Sequence, residues 1–231
     1  MDNRYYFEEC NNDYVIIKDG EANHLSKVRR AKIGDEIMAF NGDGYDYRLR
    51  IDDITKDKVR ASVIDKSQNK AFLDLDITVY LAMIKNDALK TAIDSLAQLN
   101  VKNVKLFKSD YTEAVFDDKK LDKLRAVAIQ TSKQCERADI MNISIIDKKN
   151  IKADCSKYDN VFFAYEDSNT RADSFIGDFA VIIGPEGGFS PNENEYFSSF
   201  AKNITLGKTI LRAEVAGATA VATLRAISHE S

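Results

Sequence analysis

A chain of 231 residues with 44% hydrophobic and 30% charged side chains has the composition of a folded globular protein, which excludes a disordered chain. No apolar run approaches the roughly 18 residues of a membrane span, and the first residues lack the apolar core of a signal peptide, so we expect a cytoplasmic protein. The net charge of −4 argues against RNA binding over the whole surface, so any RNA contact must come from local basic patches.

The first 70 residues predict a small β-rich domain. Strands are expected at residues 14–17, 36–40, 45–54 and 58–64, with one or two helical turns at residues 23–28. The sequence Asn41-Gly42-Asp43-Gly44 between two of these strands is a strong hairpin signal. Residues 65–70 are polar and contain no apolar anchor. We therefore predict a boundary there, between domains of residues 1–70 and 71–231.

From residue 77 onward, strands and helices alternate, which predicts an α/β domain with a largely parallel sheet. Apolar runs predict strands at residues 77–84, 104–107, 161–165, 180–183 and 204–206. The spacing of apolar residues predicts helices at residues 87–99, 121–138 and 213–228. A further helix should begin at Pro191, because Ser190 and Glu193 have the spacing of a capping box.

Two loops that follow predicted strands are the strongest candidates for a ligand site. They read GPEGGFS at residues 184–190 and LGKTILRAE at residues 206–214, and each precedes a helix. Ligands of parallel sheets bind beyond the carboxyl ends of the strands, and glycines let a ligand approach the backbone. The first loop matches neither the dinucleotide nor the triphosphate motif. Taken alone, the first loop also fits a tight structural turn, and Arg212 and Glu214 of the second also fit a solvated helix start.

Four segments in the expected order resemble a known family. They are HLSKVRRAKIGD at residues 24–35, QCER at 134–137, GPEGGFSPNE at 184–193 and LGKTILRAE at 206–214. Together they resemble the RsmE-type family of ribosomal small-subunit RNA uridine-N3 methyltransferases, which belong to the knotted SPOUT superfamily. The resemblance implies a SPOUT-type α/β domain with a trefoil knot at residues 71–231. It also implies a small PUA-like β-barrel, which binds RNA, at residues 1–70.

The resemblance further implies S-adenosylmethionine as cofactor and small-subunit ribosomal RNA as partner. The residues expected to hold the cofactor are Glu166, Ile183, Gly184, Pro185, Glu186, Gly187, Gly188, Leu206, Gly207, Ile210 and Leu211. Methyl transfer to uracil N3 is assisted by a cation beside the uracil oxygens and by a general base. We assign the cation to Arg212 and Arg137, and the role of base or orienting group to Glu214. The residues expected to bind RNA are His24, Lys27, Arg29, Arg30 and Lys32.

The sequence leaves two other functions open. One is a different SPOUT activity, such as ribose 2′-O methylation or methylation of another base in tRNA or rRNA. The other is a non-catalytic ribosome-assembly factor that binds RNA, because residues 87–99 and Val215 depart from the family pattern. Small residues in the terminal helix permit close helix approach, and because dimers of the family use this region, the resemblance implies a homodimer. The same residues also fit burial within one chain. No metal is expected, since three scattered cysteines and two histidines cannot form a zinc site.

Overall fold

The computed structural model describes residues 4–11, 13–112 and 118–229. Distances between Cα atoms divide the chain into two units. The first unit holds Met1–Phe72 together with Ile129–Ile140, and the second holds Leu73–Ala128 and Met141–Ser231. The predicted boundary after residue 70 stays a prediction. The membership of residues 129–140 in the first unit has no signal in the local sequence pattern.

The first unit is built on a six-stranded sheet. Its strands are β1 (Arg4–Tyr6), β2 (Glu9–Asn11), β3 (Tyr14–Lys18), β4 (Glu36–Phe40), β5 (Tyr45–Ile54) and β6 (Lys58–Gln68). They lie in the order β1-β4-β5-β6-β3-β2, in which only the β1–β4 pair is parallel. Along β5, Tyr47, Leu49 and Ile51 are buried while Arg48 and Arg50 are exposed. This alternation is the period of a strand with one face on a core.

A short helical segment follows β3 in the first unit. It consists of the helix α1 (Asp19–Asn23) and a π-helical turn, His24–Val28. Ala22 and Leu25 are fully buried in the core of this unit, so the segment is anchored by its apolar residues. The helical turns predicted at residues 23–28 are confirmed, although the helix begins four residues earlier.

The second unit is an α/β fold, as the sequence predicts. Its strands are β7 (Ile77–Ala82), β8 (Asn103–Phe107), β9 (Asn142–Ile145), β10 (Asn160–Ala164), β11 (Phe175–Ile176), β12 (Phe179–Ile183), β13 (Lys202–Ile204) and β14 (Ser228–His229). Six of them form a sheet in the order β13-β10-β12-β7-β8-β9, and every neighbouring pair is parallel. The central strands β7 and β12 are buried along their whole length.

Helices follow the strands of this sheet. They are α2 (Asn86–Gln98), α3 (Asp118–Gln134), α4 (Ile151–Cys155), α5 (Pro191–Ser198) and α6 (Ala213–Ile227), and a 3-10 turn spans Lys148–Asn150. The predicted capping box is confirmed at α5: Ser190 accepts a hydrogen bond from the Glu193 N–H, and Glu193 accepts one from the Ser190 N–H. Within the described residues, no helix has both the length and the apolar character that crossing a membrane requires.

Several predicted element ends are wrong by two or more residues. The helix expected at residues 121–138 stops at Gln134, because Glu136 adopts the left-handed backbone conformation (φ 63°) that ends helices. The strand expected at residues 204–206 lies instead at Lys202–Ile204, where it pairs with β10. Strands β1, β2 and β9 were not predicted from the sequence. Each is only three or four residues long and depends on pairing with distant residues.

Candidate functional site

The carboxyl ends of three neighbouring strands meet at one cavity. Strands β13, β10 and β12 are adjacent and parallel, so the segments that follow them emerge at the same edge of the sheet. The cavity, called here the strand-end cavity, is lined by residues 164–166, 183–185, 188–189 and 205–211, and by Asn194, Ala213 and Ala216. This is the edge at which α/β sheets bind ligands.

Most residues predicted to hold the cofactor line the strand-end cavity. Those that do are Glu166, Ile183, Gly184, Pro185, Gly188, Leu206, Gly207, Ile210 and Leu211. Glu186 and Gly187 do not. The Glu186 Oε1 accepts a hydrogen bond of 3.3 Å from the backbone N–H of Lys85, just before α2, and Gly187 is exposed. The structure therefore gives Glu186 a contact with the residue before α2.

Backbone conformation and close packing require glycine at two positions of the turn at residues 184–188. Gly188 has φ +72°, a conformation that side chains with a Cβ rarely adopt, and its N–H donates to the Pro185 carbonyl at 3.0 Å. A Cβ on Gly184 would lie 2.8 Å from the ring of Phe189. That ring packs against Phe107, which belongs to the buried core. Close packing alone therefore explains part of this motif.

The second loop, residues 205–211, offers unused backbone groups. Gly207 has φ +131°, and its N–H donates to the Thr205 hydroxyl at 3.2 Å. The Thr205 N–H donates to the Thr170 carbonyl at 2.8 Å, which fixes the start of the loop. Within the described part of the chain, the backbone N–H groups of Leu206 and of residues 208–211 donate no hydrogen bond. These groups are free to bind a ligand in the cavity.

The cavity's chemistry fits an adenosine-type ligand. Ile183, Pro185 and Phe189 supply apolar surface for a flat ring, and the loop at residues 205–211 supplies the unused backbone N–H groups. In addition, the side-chain oxygen of Asn194 is buried without a hydrogen-bond partner. Adenosine carries both donors and acceptors on an apolar ring, so it needs this combination rather than a cluster of cations. The residues present therefore fit S-adenosylmethionine.

Arg212 lies between two residues of the cavity wall. It is the residue before α6, its side chain is exposed, and its carbonyl accepts hydrogen bonds from the N–H groups of Val215 and Ala216. The sequence left open a simple ion pair between Arg212 and Glu214. Among the described residues, neither side chain takes part in an ion pair. The Arg212 guanidinium is thus not neutralised by its neighbour.

Arg137, the second predicted cation, has a different environment. It belongs to the first unit, only 1% of its surface is exposed, and it does not line the strand-end cavity. Its guanidinium contacts both carboxylate oxygens of Asp139, at 2.5 Å and 3.2 Å. A buried two-point pair of this kind neutralises the charge locally.

The five predicted RNA-binding residues are all exposed in the first unit. They are His24, Lys27, Arg29, Arg30 and Lys32. His24 and Lys27 lie in the π-helical turn, in which Leu25 is buried, and the other three residues follow that turn. Val28 and Ile33 lie among them and are 70% and 66% exposed. These five residues, with the apolar side chains of Val28 and Ile33 among them, are called here the basic patch.

A network of charges that the sequence did not reveal supports the first loop. Glu193 is 2% exposed, and its carboxylate accepts hydrogen bonds from the Ser109 hydroxyl and the Asp110 N–H, both at 3.0 Å. It also pairs with Lys148 at 2.7 Å, and Lys148 pairs with Asp110 at 2.5 Å. The capping-box spacing pointed to Glu193. No local pattern could point to Lys148, which lies 45 residues earlier in the chain.

The same network shifts the pKa values of Asp110 and Lys148. Hydrogen bonds from Lys148 and Ser190 hold the pKa of Asp110 below its ordinary value of 3.8. Burial alone would lower the pKa of Lys148, but its bonds to Asp110 and Glu193 outweigh that and raise it. The Lys148 ammonium therefore lies between two carboxylates, and its attraction to them favours the charged forms of Lys148 and Asp110.

Comparisons with known proteins agree with this geometry. A family model described as "RNA methyltransferase domain" matches residues 72–225, and one described as "RNA methyltransferase PUA domain" matches residues 17–64. A protein of Rickettsia conorii named "Ribosomal RNA small subunit methyltransferase E" is 28% identical over 95% of this chain and 92% of its own length.

Solved structures share the whole fold. The structure of a ribosomal RNA small subunit methyltransferase E from Neisseria gonorrhoeae, bound to S-adenosyl methionine, has a TM-score of 0.86 and 21% identity. A putative methyltransferase from Legionella pneumophila, in complex with the same cofactor, has a TM-score of 0.85 and 22% identity. In both cases the match covers 99% of this chain and 98% of the other.

Proposed function

The chain belongs to the RNA methyltransferase family, and on that basis we propose that it methylates N3 of a uridine in small-subunit ribosomal RNA. The observation that carries this proposal is the strand-end cavity, whose apolar walls and unused backbone groups fit adenosine. The name of the Rickettsia relative, which matches over nearly the whole chain, supports the choice of RNA. The enzyme is thus an S-adenosylmethionine-dependent rRNA methyltransferase.

We assign cofactor binding to those residues named from the sequence that line the strand-end cavity. The loop at residues 205–211 binds the polar edge of the adenosine through its backbone, and Ile183 and Pro185 cover the ring. Glu166 places a carboxylate at the wall, which favours a positively charged ligand. The cofactor supplies a methyl group on a sulfonium. The trefoil knot implied by the resemblance would form from the segments after β10, β12 and β13.

Two side chains beside the cavity suit the reaction at uracil N3. This nitrogen carries a proton and becomes a good nucleophile only when the proton leaves. The unneutralised guanidinium of Arg212 stabilises the negative charge that then develops on the uracil oxygens. Glu214, half-buried in the first turn of α6, accepts the proton or orients the base. Arg137 is the weaker candidate for the cation, because Asp139 already neutralises it.

The basic patch of the first unit suits the positioning of RNA. Contacts to phosphates fix an RNA on a protein surface without reading its sequence. Lys27, Arg29 and Arg30 are exposed, and none of them forms an ion pair with another described residue. We propose that residues 1–70 hold the RNA and that residues 71–231 carry out the methyl transfer.

We further propose that the protein is a cytoplasmic homodimer. In such a dimer, some residues of α6 pack within the chain and others form the contact with the second copy. Gly217 and Ala220 are buried within the chain, and Gly217 faces Leu96 of α2. Val215 and Ala222 are exposed, which leaves an apolar strip for a second copy. Sedimentation of the purified protein at several concentrations measures the oligomeric state directly.

The decisive experiment joins cofactor binding to product identity. Calorimetric titration with S-adenosylmethionine tests the cavity, and nucleoside analysis of small-subunit RNA after incubation tests the reaction. Binding together with 3-methyluridine is the expected result. Binding with another methylated nucleoside would retain the fold and replace the substrate. Absence of binding would support the ribosome-assembly factor instead.

A further inference from the structure

Asn194 is a polar residue of the strand-end cavity that the sequence did not single out. It lies in α5, one turn after the Ser190 cap, and its backbone N–H donates to the Ser190 carbonyl at 2.9 Å. The residue is half-buried and lines the cavity together with Gly188 and Phe189. It is therefore held on a regular helix whose start is fixed by a capping box.

The carboxamide of Asn194 has no use within the chain itself. Its oxygen is shielded from solvent and has no hydrogen-bond partner, and its NH₂ group donates to no group among the described residues. Buried polar atoms are nearly always paired, and an unpaired one destabilises the fold. Ser190 and Glu193, the other buried polar groups at the start of α5, are fully bonded. The unpaired carboxamide of Asn194 is thus an exception, and a ligand bound in the cavity would explain it.

We propose that the side-chain oxygen of Asn194 accepts a hydrogen bond from a donor group of bound S-adenosylmethionine. This inference rests on the proposed function, because it takes the cofactor as the occupant of the cavity. Rotation about the last side-chain bond of asparagine is broad, so the oxygen turns toward the ligand when the ligand arrives. The donors on offer are the adenine amino group, the ribose hydroxyls and the α-ammonium group.

Two substitutions separate a binding role from a structural one. In Asn194→Ala and Asn194→Leu, the dissociation constant for S-adenosylhomocysteine, measured by calorimetry, should rise about three- to tenfold. The matched control is Asn192→Ala, an exposed asparagine of the same helix, which should bind as the wild type does. Unchanged affinity in both Asn194 variants would overturn the proposal.

Stability without ligand gives a second readout with the opposite sign. Asn194→Leu replaces an unpaired buried amide by an apolar group of similar volume, so the unliganded variant should melt above the wild type. Stability and affinity would then move in opposite directions. A lower melting temperature for unliganded Asn194→Leu would mean that the amide already contributes to the fold, and would overturn the proposal.

A smaller ligand locates the donor. 5′-Methylthioadenosine retains the nucleoside and lacks the amino-acid group. Loss of affinity for both ligands in Asn194→Ala places the donor on adenosine, and loss for S-adenosylhomocysteine alone places it on the amino-acid group; either result supports the proposal. A wild-type protein that binds neither ligand would overturn the proposed function as well. A wild-type protein that binds both, with unaltered variants, would overturn this inference alone.

Discussion

Gly187 and Gly188 are neighbours in one motif, yet their positions differ. Gly188 lines the strand-end cavity with φ +72°, and a Cβ there would lie 3.5 Å from a Glu166 carboxylate oxygen. Gly187 has an ordinary φ, and the nearest atom to a Cβ there would be the Tyr111 Cβ at 3.7 Å. Gly188 is therefore required for its backbone conformation, whereas the structure shows no such requirement at Gly187.

Alanine substitutions should separate these two glycines. Gly188→Ala should lower the free energy of unfolding by about 1 kcal/mol, because a side chain in the left-handed region is strained, and it should weaken S-adenosylhomocysteine binding. Gly187→Ala is the control and should change neither quantity. Urea unfolding and calorimetry measure the two effects. Equal losses in both variants would contradict the assignment of the cavity wall to Gly188.

Arg212 should act on turnover and not on cofactor affinity. In its proposed role Arg212 stabilises the charge that develops on the uracil, so kcat of Arg212→Ala should fall about a hundredfold, while the dissociation constant for S-adenosylmethionine stays within about twofold. Lys202→Ala removes an exposed cation from β13 and serves as the control. Full activity in Arg212→Ala would remove this residue from the mechanism.

At the scale of elements, the charges of Asp110, Lys148 and Glu193 connect α5 to the segments after β8 and β9. This network holds the end of the first loop, because Ser190 both caps α5 and donates to the Asp110 carboxylate at 2.5 Å. The position of the cavity wall therefore depends on residues from three separate stretches of the chain.

The network should make stability depend on pH. Because the pKa of Asp110 is lower in the folded chain than in the unfolded chain, its contribution is present above pH 3.8 and is lost as the pH falls through the folded-state value. Asp110→Asn should therefore melt below the wild type at pH 7, and the difference should shrink at pH 3. Asp122→Asn, an exposed aspartate of α3, is the control. A difference that does not depend on pH would reject an ionic role for Asp110.

The sequence predicted elements well where local pattern decides them. Strands β4 and β5 have the predicted bounds, because alternation and the turn at residues 41–44 are local signals. β6 continues to Gln68, four residues beyond its predicted end, because Gln68 pairs with Tyr45 across the sheet. Pairing between distant residues has no local signature. The same limit applies to Lys148 and Asn194, whose roles depend on contacts that only the folded chain makes.

At the scale of the whole molecule, the proposed binding of RNA at the basic patch would reconcile an RNA substrate with a net charge of −4. Five exposed residues within nine positions of sequence supply it. Attraction to phosphates then depends on one surface and not on the overall charge. When a protein binds RNA, cations condensed on the RNA are released into solution. This release becomes less favourable as the salt concentration rises, so the affinity for RNA falls.

The salt dependence of RNA binding should reveal this patch. In a triple variant, Lys27→Ala, Arg29→Ala and Arg30→Ala, the slope of log affinity against log salt should become shallower by about two to three. The control removes the same charge elsewhere, through alanine at Lys56, Lys58 and Lys70, three exposed lysines of the first unit. Filter binding at several salt concentrations measures both slopes. Identical slopes in the two triple variants would reject the basic patch.

The cysteines should report on the folding of the two units. Cys10 is exposed in the first unit, whereas Cys155 is buried in the second, and burial raises the pKa of its thiol to about 11. Iodoacetamide at pH 8 should modify Cys10 in the native protein and spare Cys155 until the second unit unfolds. Mass spectrometry of peptides after a timed reaction measures both. Equal rates in the native protein would contradict the burial of Cys155.

The membership of residues 129–140 in the first unit has a consequence for protein synthesis. Arg4 donates to the carbonyls of Glu136 and Arg137, and Asn69 also donates to that of Glu136. A ribosome makes the chain from its N-terminus, so these acceptors leave the ribosome only after more than half of the 231 residues have been made. An N-terminal sheet that folds before residue 137 has been made would lack these three hydrogen bonds. The residues of the first unit are therefore all present only after residues 73–128, which belong to the second unit, have been synthesised.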